Sequence, residues 1–522
     1  MSEPKNSTAD SPEPSVSRGD VEANIGRHDV GRGAGMAALA RLGALIEVVA
    51  QPAYVWLYGL AGYGLYVSLW SAVNVLGFVV NLAMHQALQR LIPGADNEEQ
   101  AHATLRFALL VTVLPACAIA AIITLLAPMI APAFSSSEEA ASALPQIVAL
   151  FIWSLPLLIL LEVATAAARA RRAFGPEIRL RIFWEQCVRL ILAVAAWFAG
   201  FLVFGLFIAH IASLAVTALL ALRLIGKYYD WRLLLRAPSP KGMAGNILLT
   251  GMAMLPPNIA RRAFNDLPPV LLNLTLPGTG GAIAAGLYGI ARKVASVPLI
   301  VRQAFLYVLA PLSAAQAKID RAAILPLYQF SNRLAAILVI PLTVAMILIG
   351  DIILLIFTKD ALAALPILVV LLIGRAGEAL LGAATPIVEM TGHRLLPLVN
   401  SLLGLAVAAT IYMLLPANSG AVGMAVAVAL GVTAASWIAA WELSQFDKMP
   451  VWDRHMVWAV AQQLAGCALL AFVARIVEQE SIAIRLSVVI GGLLLLVWSG
   501  LKWGLESDDK QALGRAGRLL RL

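Results

Sequence analysis

The sequence predicts an all-α polytopic membrane protein with about 14 transmembrane helices. Of its 522 residues, 61% are hydrophobic and only 13% are charged. Since soluble domains carry roughly 25% charged residues, this chain has too few to cover a soluble surface of its size. Many of its apolar stretches also reach the about 20 residues that a helix needs to cross a bilayer. The stretches are continuous rather than alternating, which favours helices over a β-barrel.

The spans can be placed on the apolar stretches and tested against the loops. They lie at residues 34–58, 63–89, 104–133, 145–168, 182–199, 202–224, 247–274, 280–312, 334–357, 363–389, 395–415, 421–444, 455–474 and 483–503. Arginine-rich segments at 169–181 and 223–241 alternate with segments 135–143 and 278–281, which hold no basic residue. Because basic residues concentrate on the cytoplasmic side, both termini are predicted to be cytoplasmic, in a bacterial inner membrane.

The same pattern predicts the domain organisation. The expected parts are a disordered cytoplasmic tail (1–28), a first lobe of helices 1–6 (29–230), a cytoplasmic inter-lobe loop (231–246), a second lobe of helices 7–12 (247–445), helices 13–14 (446–504) and an amphipathic cytoplasmic tail (505–522). The net charge of +8 lies along one membrane face, where anionic lipids attract basic residues. Membrane lipids are therefore the expected partner of these residues, and nucleic acid is not.

An internal repeat relates the two predicted lobes. Gly64-Leu65-Tyr66 opens the second span, and Gly286-Leu287-Tyr288 opens the eighth, 222 positions later. Pro115 in the third span and Pro341 in the ninth follow at nearly the same offset. Six spans per repeat make the repeats parallel, related by an axis normal to the membrane, so two lobes with a cleft between them are expected.

Two segments carry a family resemblance. The sequence of residues 64–76, and that of residues 266–273 followed by 284–298, resemble the polysaccharide (O-antigen type) flippases of the multidrug/oligosaccharidyl-lipid/polysaccharide exporter superfamily. The resemblance extends from about residue 30 to 504, and the proline pairs Pro256-Pro257 and Pro268-Pro269 depart from it. It implies two six-helix lobes, two further helices, an alternating-access cavity and a polyprenyl-diphosphate-linked glycan as cargo. A polysaccharide polymerase and copolymerase are the partners it implies.

Charged residues inside the spans are the candidate site, because each costs about 2.5–3.5 kcal/mol at mid-bilayer. The basic ones lie in spans one, seven and eight: Arg41, Arg261, Arg262, Arg292, Lys293 and Arg302. A cleft lined by them would suit a diphosphate, which a guanidinium matches with paired hydrogen bonds. Arg41 and Arg262 are separated by the repeat offset and are expected to face each other.

Structural roles are the alternative for several of these residues. Arg262 lies four residues before Asp266 and can pair with it. Arg292 and Lys293 are placed near the outer end of span eight, where they can reach the interface. Ion pairs are also expected for Arg375 with Glu378, and for Glu162, Glu185, Arg189, Asp351 and Glu389. The aromatic residues between Tyr58 and Trp70 are predicted to anchor the membrane interface rather than to stack on sugars.

No nucleotide-binding loop occurs in the sequence, so ATP hydrolysis is not expected. Coupling to H⁺ or Na⁺ through Glu47 or Asp266 is a hypothesis that rests on their depth in the spans. No cofactor or metal site is expected, because Cys117, Cys187 and Cys467 lie far apart in apolar runs.

Three alternatives remain to a glycan flippase. A multidrug or cation antiporter of the same superfamily would need an acidic cavity. A peptidoglycan-precursor flippase would share the fold and the diphosphate. A membrane enzyme, such as a glycan polymerase or glycosyltransferase, usually needs a large external loop, whereas the predicted outer loops have about a dozen residues or fewer. The sequence therefore favours a transporter over an enzyme.

Overall fold

The structure, a computed structural model, describes residues 27–173, 175, 178–238, 242–276, 278–300, 324–381, 384–390 and 395–512. Its main helices are α1 (Arg27–Asn81), α2 (Met84–Leu91), α3 (Glu98–Ile130), α4 (Leu144–Phe151), α5 (Ser154–Ala170), α6 (Glu185–Phe198), α7 (Leu202–Tyr228), α8 (Met243–Thr275), α9 (Thr279–Val294), α10 (Leu325–Leu348), α11 (Leu365–Leu380), α12 (Ala384–Met390), α13 (Leu396–Leu414), α14 (Gly420–Phe446), α15 (Arg454–Ile476) and α16 (Ile482–Trp503). Within these ranges no strand occurs, and the predicted all-α fold class is confirmed.

In the described part of the chain, 11 helical stretches are long and apolar enough to cross a membrane. The other predicted spans correspond to the first segment of α1, to α8, and to α6, which has only 14 residues. A wider helical turn at Ile178–Trp184 leads into α6. The protein is thus a multi-pass membrane protein, and its backbone groups are satisfied within helices, as a bilayer requires.

Local sequence fixes where several of these helices begin and break. Gly59 has φ +71°, a left-handed conformation that glycine adopts at little cost, and it divides α1 into two segments. The side chains of Asn97 and Asp453 accept hydrogen bonds from the first turns of α3 and α15. Pro145 and Pro366 open α4 and α11, where a missing N–H costs nothing. Pro115 and Pro341, which were predicted within spans, do lie inside helices.

Glycines bring helices from the two predicted lobes into backbone contact. A Cβ built on Gly286, in α9, would lie 2.8 Å from the carbonyl oxygen of Leu60 and 3.2 Å from the Cα of Gly64. Such an approach leaves no room for any side chain. The second segment of α1 and the helix α9 therefore cross at the residues that open their repeats.

Ion pairs connect the last two membrane helices, α15 and α16, to the rest of the protein. Arg333, in α10, is buried and donates to Asp453 and Glu506, with donor–acceptor distances of 2.7 and 2.9 Å. A third carboxylate, that of Asp509, lies 2.9 Å from the same guanidinium. Arg485 in α16 pairs with Asp351 at 2.9 Å. Arg333 thus links α10 to the start of α15 and to the segment after α16. Arg485 links the start of α16 to the short helix Gly350–Leu355, which follows α10.

Candidate functional site

A cavity of about 610 Å³ lies between α1, the wider turn Ile178–Trp184 with the start of α6, and α9. Its lining residues are Gln51, Tyr63, Tyr66, Val67, Trp70, Asn74, Arg181, Glu185, Gln186, Arg189, Gly289, Arg292 and Lys293. Four of these side chains are basic and one is acidic. The cavity is therefore lined by both predicted halves of the chain. It carries an excess of positive charge, which favours an anionic ligand.

Arg292 and Lys293 form the side of the cavity contributed by α9. They occupy the last turn of α9, which ends at Val294. Both lie within the apolar stretch Thr279–Ile300. Their expected position near the outer end of span eight stays a prediction.

Aromatic and amide side chains form the opposite wall. Tyr63 is buried, and its hydroxyl donates to the Oε1 of Gln51 at 2.6 Å. Trp70 lines the cavity one helical turn beyond Tyr66, and Asn74 follows it by another turn. The predicted anchoring role at the membrane interface is wrong for Tyr63, Tyr66 and Trp70, because they face helices of the protein. Apolar ring faces and amide groups of this kind suit sugar hydroxyls and sugar ring faces.

A buried polar network lies behind this wall. The hydroxyl of Tyr66 is 2.8 Å from the Nδ1 of His210 and accepts from the guanidinium of Arg189 at 3.5 Å. Arg189 also donates to Glu185, one helical turn earlier, which confirms the ion pairing expected for these two residues. The network joins α1, α6 and α7 around Tyr66, and it fixes the orientation of the cavity wall.

A second network runs between the predicted halves as alternating charges. Glu162 in α5 lies 3.5 Å from Arg181 and 3.9 Å from Arg262. Arg262 lies 3.7 Å from Asp266, which in turn lies 3.6 Å from Arg292. The predicted Arg262–Asp266 pair is confirmed. Each carboxylate therefore lies near two guanidinium groups. The network contains three positively charged side chains and two negatively charged ones.

Arg262 occupies a different place from the one expected for a cavity residue. Its side chain is 37% exposed, it lies over the ring of Phe78 at 5.8 Å, and it does not line the cavity described above. The expected counterpart of Arg262 is Arg41, whose side chain lies outside the described part of the structure. The same holds for the side chains of Glu47 and Arg261 and for all of Arg302. Their predicted roles stay predictions.

Other ion pairs expected from the sequence involve residues outside the described lining of the cavity. Arg375 pairs with Glu378 at 2.7 Å, as expected, and also donates to the side chain of Asn265 at 2.9 Å. The pair of Asp351 with Arg485 is described above, and the side chain of Glu389 lies outside the described part. Sequence reasoning missed Arg181 and Gln51 as cavity residues. Arg181 had been assigned to a loop, and Gln51 gave no signal, since a single amide in an apolar run is common.

The fold and the cavity define a multi-pass helical membrane protein with a cationic cavity between helices of its two predicted halves. The family model MatE matches residues 57–183. No protein of curated function matches the chain by sequence. Similar solved structures, in contrast, cover most of the chain.

The first of these structures is a lipid II flippase, MurJ, in an inward closed conformation. It is 11% identical over 88% of this chain and 97% of its own, with a TM-score of 0.69. An inward-facing multidrug resistance MATE family transporter of the MOP superfamily is 15% identical over 78% of this chain and 95% of its own, with a TM-score of 0.63. A MOP superfamily transporter from Pyrococcus furiosus, for which a reverse polarity of the binding pocket is described, is 13% identical over 79% and 95%, with a TM-score of 0.57. The chain shares the fold of these transporters.

Proposed function

We propose that this protein is a transporter of the multidrug/oligosaccharidyl-lipid/polysaccharide superfamily that flips polyprenyl-diphosphate-linked oligosaccharides. In the proposed reaction the glycan passes from the cytoplasmic to the outer leaflet of a bacterial inner membrane by alternating access. The observation that carries the proposal is the charge of the cavity, which has four basic side chains and one acidic one among its described lining residues. A diphosphate is the part of such a lipid that this charge would bind.

The composition of the cavity also supports a sugar-bearing cargo. Arg292 and Lys293 approach from α9, while Tyr63 and Trp70 approach from α1. A ligand with an anionic centre and a polar glycan would contact both sides at once, since the cationic and aromatic groups lie on different helices. The cavity volume of about 610 Å³ is within the range for ligand pockets, and it suits the diphosphate with its first sugars rather than a whole chain of sugars.

The charge of the cavity argues against two alternative functions, a transporter for cationic drugs and a membrane enzyme. A transporter for cationic drugs would need acidic groups at its centre, and the one carboxylate in the described lining, Glu185, is paired with Arg189. A membrane enzyme would need a catalytic group placed to react, whereas Arg181, Arg189 and Arg292 of the described lining lie near carboxylates in ion networks. The peptidoglycan-precursor flippase is the second candidate, because the lipid II flippase shares the fold over 88% of this chain.

The test is deletion of the gene, followed by analysis of lipid-linked glycans and surface polysaccharide. We expect loss of the surface polymer, with unpolymerised diphosphate-linked repeat units retained on the cytoplasmic side. Retention of lipid-linked peptidoglycan precursor instead would support the second candidate. An intact surface polymer together with altered drug sensitivity would contradict both and favour an antiporter. Association with a polysaccharide polymerase and copolymerase belongs to the same proposal, and co-purification from native membranes tests it.

A further inference from the structure

Glu162 and Arg262 form an ion pair between the two predicted lobes. Glu162 lies in α5 of the first lobe and Arg262 lies in α8 of the second, and their charged atoms are 3.9 Å apart. The side chain of Glu162 is only 11% exposed, and it accepts a hydrogen bond of 2.8 Å from the Nδ2 of the buried Asn81. Because Asn81 fixes Glu162 within the first lobe, a movement of α8 relative to that lobe changes the distance from Glu162 to Arg262.

This ion pair lies beyond one end of the cavity. Arg262 lies over the ring of Phe78, which follows the lining residue Asn74 by one helical turn. The helix α1 ends one turn after Phe78, and α5 ends about two turns after Glu162. Both helices end at loops that the sequence predicts to be cytoplasmic. The Glu162–Arg262 pair is therefore on the predicted cytoplasmic side of the cavity.

Two carboxylates lie beside Arg262, and each of them also lies near an arginine that lines the cavity. Glu162 is 3.5 Å from Arg181, and Asp266 is 3.6 Å from Arg292. Arg262 lies between the carboxylates, 3.9 Å from Glu162 and 3.7 Å from Asp266. The two carboxylates therefore compete with any anionic ligand for Arg181 and Arg292, and Arg262 is the cation that they share.

The contacts around Arg262 are longer than those of two other arginine ion pairs in the described structure. They range from 3.5 to 3.9 Å, whereas Arg375 lies 2.7 Å from Glu378 and Arg485 lies 2.9 Å from Asp351. A charge-assisted hydrogen bond between nitrogen and oxygen has a length of about 2.7–2.9 Å. The guanidinium groups of this network are therefore shared between acceptors, and small side-chain movements can redistribute them.

A diphosphate in the cavity would change this distribution of charge. Its oxygens would attract Arg181 and Arg292, because a guanidinium binds phosphate through paired hydrogen bonds. Glu162 and Asp266 would then each lose one cation, and an uncompensated carboxylate inside a membrane protein is costly. Arg262 is already within 4 Å of both carboxylates. The stronger attraction would draw Arg262 toward Glu162, and α8 toward α5.

We propose that Arg262 is a positioning residue that couples cargo binding to closure of the cytoplasmic end of the cavity. It compensates Glu162 and Asp266 when the cargo binds Arg181 and Arg292, and it thereby brings α5 and α8 together. The sequence led to a different expectation, in which Arg262 itself contacts the diphosphate. The inference rests on the proposed function, because it needs an anionic cargo in the cavity, but it does not depend on which glycan that cargo carries.

The test measures the distance between α5 and α8 with and without inorganic pyrophosphate. The full-length protein is placed in lipid nanodiscs after replacement of its three natural cysteines. Spin labels are attached to Arg172→Cys, just after α5, and to Asn246→Cys in α8, because both positions are exposed. Saturating pyrophosphate should shorten the distance in the wild type. Arg262→Gln and Glu162→Gln should each abolish the shortening while still binding pyrophosphate.

The two variants should change the affinity for pyrophosphate in opposite directions. Glu162→Gln removes a competitor for Arg181, so the Kd should fall about two- to fivefold, the effect of a partly exposed ion pair. Arg262→Gln removes the cation that the two carboxylates share, so they should hold Arg181 and Arg292 more tightly and the Kd should rise by a similar factor. Arg262→Lys keeps the positive charge and should restore most of the shortening.

Arg485→Gln is the matched control, because its pair with Asp351 does not join the two predicted lobes, and it should shorten like the wild type. If Arg262→Gln does not accumulate, Glu162→Gln and Arg262→Lys decide the question. Pyrophosphate binding without shortening in the wild type, or shortening that persists in Glu162→Gln, overturns this inference alone. A wild-type protein that does not bind pyrophosphate contradicts both this inference and the proposed function.

Discussion

Gly64 and Gly286, which open the two repeat-related Gly-Leu-Tyr segments, lie against each other in the structure. A Cβ on Gly64 would lie 2.8 Å from the backbone nitrogen of Gly286. Equivalent residues of two parallel repeats meet only near the axis that relates them. This contact therefore supports the pseudo-twofold arrangement expected from the repeat.

Gly64→Ala and Gly286→Ala should each force the second segment of α1 away from α9. The added methyl group would overlap backbone atoms, which typically costs about 1–3 kcal/mol. We expect a lower Tm and a longer distance between spin labels on these two helices, measured after replacement of the three natural cysteines. Gly491→Ala is the control, because no atom lies within 4 Å of its Cβ position. Unchanged distances in both glycine variants would show that the Gly64–Gly286 contact does not set the spacing between α1 and α9.

Lys293→Ala should weaken binding of a diphosphate-linked ligand. Lys293 lines the cavity, and a hydrogen bond to a charged group contributes about 1.5–3 kcal/mol. The dissociation constant should therefore rise about 10- to 100-fold in a direct binding measurement with a short polyprenyl diphosphate. Lys359→Ala removes an exposed lysine outside the cavity and should leave binding unchanged. Equal affinities for wild type and Lys293→Ala would remove Lys293 from the binding site.

Arg333→Ala should release α15 and α16 from the rest of the protein. Its guanidinium is surrounded by Asp453, Glu506 and Asp509, and removal would leave three carboxylates close together without their cation. Breaking a buried ion pair by removing one partner costs about 3–5 kcal/mol. We expect faster proteolysis between α16 and the C-terminus, and a lower Tm. Arg454→Ala, which changes an exposed arginine at the start of α15, is the control. Equal proteolysis of both variants would contradict the role of Arg333 in holding α15 and α16.

Tyr66→Phe and Tyr54→Phe form a matched pair that tests the network behind the cavity. The hydroxyl of Tyr66 contacts His210 and Arg189, whereas the buried hydroxyl of Tyr54 has no hydrogen-bond partner in the described structure. Leaving buried partners unsatisfied costs about 1–3 kcal/mol, so Tyr66→Phe should lower the stability. Tyr54→Phe should be neutral or stabilising. If thermal unfolding showed that Tyr54→Phe is less stable than Tyr66→Phe, the network would not be formed as described.

The fold was largely predictable, because each helix is determined by a contiguous apolar stretch of the required length. Short-range pairs were predictable for a similar reason. Arg262 with Asp266 and Arg375 with Glu378 lie three or four residues apart, a spacing that places them on one helical face.

The composition of the cavity was only partly predictable, because it depends on which faces of distant helices meet. Trp70 looked like an interface anchor, yet its ring centroid lies 4.2 Å from that of His210, which is 140 positions away in sequence. The three carboxylates around Arg333 come from segments 120 to 176 positions away in sequence. Periodicity and composition describe single helices, and neither specifies such long-range contacts.

The proposed function is transport of a diphosphate-linked glycan lipid through the cationic cavity. The most direct measurement follows the flipping of a fluorescent short-chain polyprenyl-diphosphate oligosaccharide in proteoliposomes, compared with the monophosphate of the same glycan. We predict transport of the diphosphate lipid, slower transport of the monophosphate, and loss of transport in an Arg292→Gln, Lys293→Gln double variant that still inserts and folds. Equal transport by that variant and the wild type, or transport of a cationic drug but of neither lipid, would contradict the account.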